Sequence, residues 1–154
     1  SAERRTILTD IKELLREIRD KRGELMHIRL HKEDVRLSLL PGAIRYDKDR
    51  VDFSPDDPMI KMIERLEKIE AKETKCEEEL LKDIEFVNDI IMSMPTSVCK
   101  RLLWLRYIDG SRPMQWKDIA DELGYSEDHT RGKLHGKAIA EARAVAEKIT
   151  HAKT

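Results

Sequence analysis

Ser126, Glu127, Asp128, His129, Arg131, Gly132, Lys133, His135 and Lys137 crowd charged and hydrogen-bonding groups into one short stretch of the chain. A guanidinium such as that of Arg131 can fork onto a guanine edge or a phosphate. The ammonium groups of Lys133 and Lys137 suit phosphates, and an acidic side chain can accept from cytosine. Gly132 and Gly136 weaken a helix by about 1 kcal/mol each relative to alanine, and they remove bulk where a backbone would need close approach.

Such groups need a helix to present them, and the flanking residues specify one. Residues 116–123 put Trp116, Ile119, Ala120 and Leu123 on one helical face, with Lys117, Asp118, Asp121 and Glu122 elsewhere. Gly124 closes that helix by taking the left-handed conformation, and Tyr125 is placed to pack between the two helices. Ser126 caps the next helix by accepting from an orphan backbone N–H, while Glu127 and Asp128 put negative charge at the positive end of its dipole. Thr130, Leu134 and Ala138 or Ile139 form the inward stripe and leave the candidate residues on the outward and flanking surfaces. This is the pattern of a helix-turn-helix. A generic pair of packed helices with a charged exterior is the plainer alternative, but turn, cap and apolar spacing coincide over a continuous stretch.

Upstream, Thr96 or Ser97 can cap a helix over residues 98–108, in which Val98, Leu102, Leu105 and Ile108 form one stripe beside Trp104 and Tyr107. Asp109-Gly110 ends it, and Ser111-Arg112-Pro113 turns the chain toward Trp116. A three-helix unit results, with Trp104, Tyr107, Trp116 and Tyr125 as packing groups. The last helix should run to about residue 150, with Ala138, Ala142, Val145 and Ile149 available for packing on the amino-terminal helices or on another subunit.

Leu105 to Gly110 (LRYIDG), Ile119 to Ser126 (IADELGYS) and Lys133-Leu134-His135 resemble the promoter-reading fourth region of bacterial sigma factors. Within that group the likeness is to phage-encoded sigma-like transcription regulators, of the kind that includes the RinA and ArpU late-gene activators, and it covers residues 98–139. The resemblance implies binding of promoter-like double-stranded DNA through the helix that starts at Glu127, beside host RNA polymerase.

Of the 154 residues, 40% are charged and 5% aromatic, which favours long solvated helices over a thick core and allows one domain or two small ones. The net charge of −1 conceals a division: residues 1–94 carry 19 basic and 23 acidic side chains for a net −4, and residues 95–154 carry 11 and 8 for a net +3. The positive part holds the helix-turn-helix. Its excess is small, so the expectation is modest intrinsic affinity for DNA, marked salt dependence, and help from a partner or a dimer. Cys76 and Cys99 fit no metal spacing and lie on apolar helical faces, as buried free thiols of a reducing compartment would. No apolar run approaches the roughly 20 residues that cross a bilayer and no secretory signal is present, so no membrane partner is expected and the chain reads as cytoplasmic. Ser1-Ala2 without a methionine reads as a trimmed end.

Over residues 2–40 apolar positions step by four and three through Ile7, Ile11, Leu14 and Ile18, then Leu25, Ile28, Val35 and Leu39, with Lys21 and Lys32 interrupting the seam. Leu8, Leu15 and Met26 widen the stripe toward that of a bundle, and Gly23 is a point where the helix can bend. Residues 58–94 repeat the register through Met62, Leu66, Ile69, Glu73, Cys76, Leu80, Asp83 or Ile84, Val87, Ile90 or Ile91, and Met94, with Asp57 as cap and Pro58 in the first turn. At 1.5 Å per residue each helix could reach roughly 50 Å, and a single connection folds the two antiparallel. That connection, residues 41–57, has apolar anchors in Ile44, Tyr46, Val51 and Phe53. It reads as a cap folded over the bundle end, with a contact surface for a protein partner as the other reading.

His27 and His31 share a helical face but lack a third ligand. Asp47, Asp49 and Asp52 near the SPDDP run lack a calcium loop's glycine and terminal glutamate, so no metal is expected. No nucleophile with a base, no phosphate-cradling glycine loop and no catalytic carboxylate pair is apparent. An enzyme is not expected, and no cofactor is implied.

The sequence therefore predicts an all-α protein, a long antiparallel helical hairpin (coiled coil) over residues 1–94 followed by a three-helix helix-turn-helix domain over residues 95–154. The leading functional reading is a sequence-specific DNA-binding transcription regulator of phage or prophage origin, whose long helices hold another copy of the chain or host RNA polymerase. A second is a phage DNA-packaging adaptor like the small terminase subunits, which join a helix-turn-helix to oligomerisation helices. A third is a helical scaffold with a relic helix-turn-helix.

Overall fold

The computed structural model describes residues 10–39, 57–110 and 113–152. The expectations for Ile7, Leu8, Leu40, the connection over residues 41–56 and the Ser111-Arg112 turn lie outside the described residues. No strand occurs among the described residues. Helix α1 is Ile11–Ser38 and α2 is Pro58–Met92. Helix α3 runs Ser97–Leu103 and carries on as a π-helical turn, Trp104–Ile108. Helix α4 is Trp116–Leu123; α5 opens as Glu127–His129, passes through a second π-helical turn, Thr130–Leu134, and continues as His135–Ala152. The chain is all-α, a pair of long helices followed by three that build a helix-turn-helix. At 28 and 35 residues, α1 and α2 are about 40 and 50 Å long.

The described chain falls into two compact units, residues 10–22 with 80–152 and residues 23–39 with 57–79. The division cuts both long helices, at Gly23 and Leu80, and not the Pro95 boundary. In the smaller unit Leu25, Val35, Ile69 and Cys76 are buried. Lys32 Nζ reaches Glu73 Oε1 at 2.8 Å, and Arg29 reaches Glu73 at 3.2 Å and Glu77 at 3.6 Å. Moving forward along α1 meets residues further back along α2, so the two segments run antiparallel. The ammonium of Lys32 holds the Glu73 carboxyl below the usual carboxylate range.

In the larger unit the buried side chains come from all five helices: Leu14, Leu15 and Ile18 of α1, Val87 and Ile90 of α2, Leu102 and Leu103 of α3, Ile119 of α4, Leu134 and Ala138 of α5. Lys21 Nζ meets Asp83 Oδ2 at 2.7 Å, so both lysines that break the α1 seam face acids that break the α2 seam. The Asp10 carboxylate, one position before α1, accepts two hydrogen bonds from the Arg143 guanidinium of α5, at 2.9 and 2.8 Å. The cap expected for α2 is present, with the Met59 N–H donating to Asp57 Oδ1 at 2.9 Å. Cys76 and Cys99 are both buried and neither is in a disulfide.

The two π-helical turns alter the stripes read from regular spacing. In α3 the Asp109 N–H bonds the Trp104 carbonyl five positions back, at 2.8 Å. The extra residue rotates the end of the helix, so that Leu105 and Tyr107 are both buried while Ile108 is only half-buried.

Candidate nucleic-acid interface

Local chemistry fixes the angle between α4 and α5. Ile119 and Ala120 of α4 are buried, Trp116 and Leu123 half-buried. Gly124 closes α4 at φ 79°, its N–H bonding the Ala120 carbonyl at 2.9 Å, and the Tyr125 N–H shares that carbonyl at 3.1 Å. Ser126 is the N-cap of α5 and its hydroxyl accepts from the His129 N–H at 3.2 Å. Thr130, the polar member of the inward stripe, is fully buried, and its hydroxyl donates to the Ser126 carbonyl at 2.8 Å. That bond makes its burial tolerable.

On this frame Ser126, Glu127, Asp128, His129, Arg131, Gly132, Lys133 and Lys137 are all exposed, while Thr130, Leu134, Ala138 and Ile139 are buried. Arg131 reaches back to Asp128 at 3.2 Å, both side chains largely in solvent. A pair so exposed contributes a few tenths of a kcal/mol. Its guanidinium can be exchanged onto another acceptor at little cost.

His135 departs from the outward set. The bond from its N–H to the Thr130 carbonyl closes the second π-helical turn, and the half-buried ring lies edge-on to Trp116 with centroids 4.9 Å apart. Its Nε2 stands 2.9 Å from the Tyr107 hydroxyl. Burial, reinforced by the positive charges of Arg106 and Lys12, pushes this imidazole down to about 4. It is therefore neutral near pH 7 and shares a hydrogen bond with the Tyr107 hydroxyl. His135 joins α5 to α3 and α4 and does not belong with the outward groups. Tyr125 departs as well: instead of packing between the helices it is 45% exposed, with its ring 5.2 Å from that of His129.

Three further residues support this frame. Arg106 lies over the Trp116 ring at 4.5 Å and donates to the Met114 carbonyl at 2.8 Å. Glu141 of α5 accepts from the Thr96 N–H at 3.1 Å and so serves the start of α3, where Thr96 makes no side-chain cap of its own. Arg22 of α1, 7% exposed, donates to the carbonyls of Tyr107 at 2.7 Å, Asp109 at 3.1 Å and Gly110. The first is an acceptor in the last turn of α3 and the other two lie in the turn just beyond it. The one signal for Arg22 is its register, since Ile18, Arg22 and Leu25 follow at i, i+4 and i+7 on the buried side of α1.

No group of three His, Cys, Asp or Glu side chains suited to a metal ion lies among the described residues, where His27 and His31 are both exposed. No described helix is long and apolar enough to cross a membrane. No protein-family model, no curated protein and no solved structure matches this chain.

Proposed function

We propose that this chain is a sequence-specific DNA-binding transcription regulator of the phage sigma-like kind, with the first turns of α5 lying in the major groove of a duplex. The observation that carries the reading is the partition along α5. The charged, polar and small residues between Ser126 and Lys137 are exposed, Thr130 and His135 apart, and the buried positions between them seat the helix on its neighbours. Arg131 suits a guanine edge, Glu127 or Asp128 the amino group of cytosine, and Lys133 with Lys137 the phosphates. Gly132 and Gly136 have open space around them, so the backbone can approach the groove wall closely. The resemblance of residues 98–139 to the promoter-reading region of sigma factors points the same way, and host RNA polymerase or a second copy of the chain would supply the affinity that a small positive excess does not.

Selection from a random pool of duplexes tests this. A common motif should emerge after a few rounds, with binding that weakens steeply as salt rises. Failure to retain any duplex at low salt would overturn the proposal.

A further inference from the structure

The larger unit contains a second row of basic side chains, on a helix that is no part of the helix-turn-helix. Lys12, Arg16 and Arg19 of α1 follow at i, i+4 and i+7 and are all exposed. On a helix this spacing puts them in one line, with the ends about 10 Å apart. The other bases of this segment are engaged, Lys21 with Asp83 and Arg22 with the carbonyls that end α3.

Two anchors lay this line along the three-helix head. At one end the Asp10 carboxylate is held by Arg143 of α5; at the other Arg22 is held by the last carbonyls of α3. Lys12, Arg16 and Arg19 lie between these points. The charges of Arg19 and Arg16 act on the Tyr107 hydroxyl, and that of Lys12 acts on the His135 imidazole. The row thus runs beside the hydrogen-bonded Tyr107–His135 pair, and His135 directly follows the exposed turn that carries Arg131 and Lys133.

Lys12 to Arg16 and Arg16 to Arg19 are like-charge steps at neighbouring positions, each unfavourable by a few tenths of a kcal/mol. Glu13, Glu17 and Asp20 repeat the spacing one position later and so form a separate acidic row about 100° round the helix. Among the described residues Arg19 meets an acid at Asp20, 4.0 Å away and at the outer limit for an ion pair. A row of three cations about 10 Å long matches the axial rise of about three phosphates on one strand.

We infer that Lys12, Arg16 and Arg19 form a phosphate-holding strip, a second DNA contact that grips the backbone of the duplex read by α5; the inference rests on the function proposed above. The strip carries no base information. It adds affinity and salt dependence to a recognition helix that is itself only weakly basic.

The test is a titration of the full chain with a labelled duplex over a range of salt concentrations, using both the selected motif and a scrambled duplex. Lys12→Gln with Arg16→Gln and Arg19→Gln should weaken binding of both duplexes by at least about tenfold at low salt. It should also flatten the slope of log affinity against log salt by about 2 to 3, because each neutralised phosphate contributes about 0.9. Glu13→Gln with Asp20→Gln, on the neighbouring row, should leave the slope at least as steep. Arg16→Lys with Arg19→Lys keeps the charge and should keep the slope, which separates phosphate contact from damage to the fold. A triple glutamine chain with the parent's slope would overturn the strip while leaving the recognition helix in place, as would a charge-conserving pair that loses the slope equally. A parent chain that binds neither duplex would overturn both.

Discussion

The guanidinium of Arg22 donates to the backbone carbonyl of Tyr107 at 2.7 Å across 85 positions of sequence. The same group serves Asp109 and Gly110, so the end of α3 is completed by a side chain from α1. The helix-turn-helix head is therefore discontinuous in sequence, and its folding depends on residues 10–22.

Arg22→Ala should lower the stability of the head by about 2–4 kcal/mol, since hydrogen bonds from a charged donor contribute about 1.5–3 kcal/mol and the carbonyls left behind are partly shielded from water. Arg22→Lys should recover only part of this, because a single ammonium cannot fork over three acceptors. Urea unfolding monitored by the tryptophans, Trp104 and Trp116, would measure it; midpoints equal to the parent's would remove Arg22 from the frame.

The imidazole of His135, pushed down to about 4 in the fold, titrates near 6.5 when unfolded. Between these values the unfolded chain binds the extra proton, so the contribution of His135 is complete above about pH 6.5 and is lost as pH falls toward 4. The full effect is at most about 3.5 kcal/mol, one pKa unit being worth about 1.4 kcal/mol. His135→Gln should flatten the stability profile over this window relative to the parent, which separates the imidazole from carboxylates that titrate there too. An identical pH dependence in both chains would contradict its burial.

Gly124→Ala should cost about 1–2 kcal/mol, because φ 79° is a conformation that a Cβ disfavours although the space around it is open. Ser126→Ala should cost about 0.5–2 kcal/mol through loss of the cap on the His129 N–H. Thermal unfolding of each single variant checks these values, and a Gly124→Ala chain as stable as the parent would argue against the left-handed turn.

Much of this frame is legible from residue type alone. Gly124, Ser126 and Asp57 take the positions that their backbone and capping chemistry predict, and the seam lysines Lys21 and Lys32 meet the seam acids Asp83 and Glu73. Regular helical spacing fails where the helix is irregular. The π-helical turns rotate Tyr107 and Leu105 into the core together and draw His135 inward, and no local sequence rule announces the extra residue in each turn. Long-range partners fail for a different reason. Arg22 and Glu141 look like ordinary members of charged helices, and only the tertiary fold brings them to the ends of α3.

Arg131 lies at the heart of the exposed face of α5. Titration of the selected duplex, and of versions of it with each base pair changed singly, should show Arg131→Ala binding about 1–3 kcal/mol more weakly, with preference relaxed at one position and helicity unchanged. Isotherms identical to the parent's for every one of these duplexes would contradict the assignment of this face to base recognition.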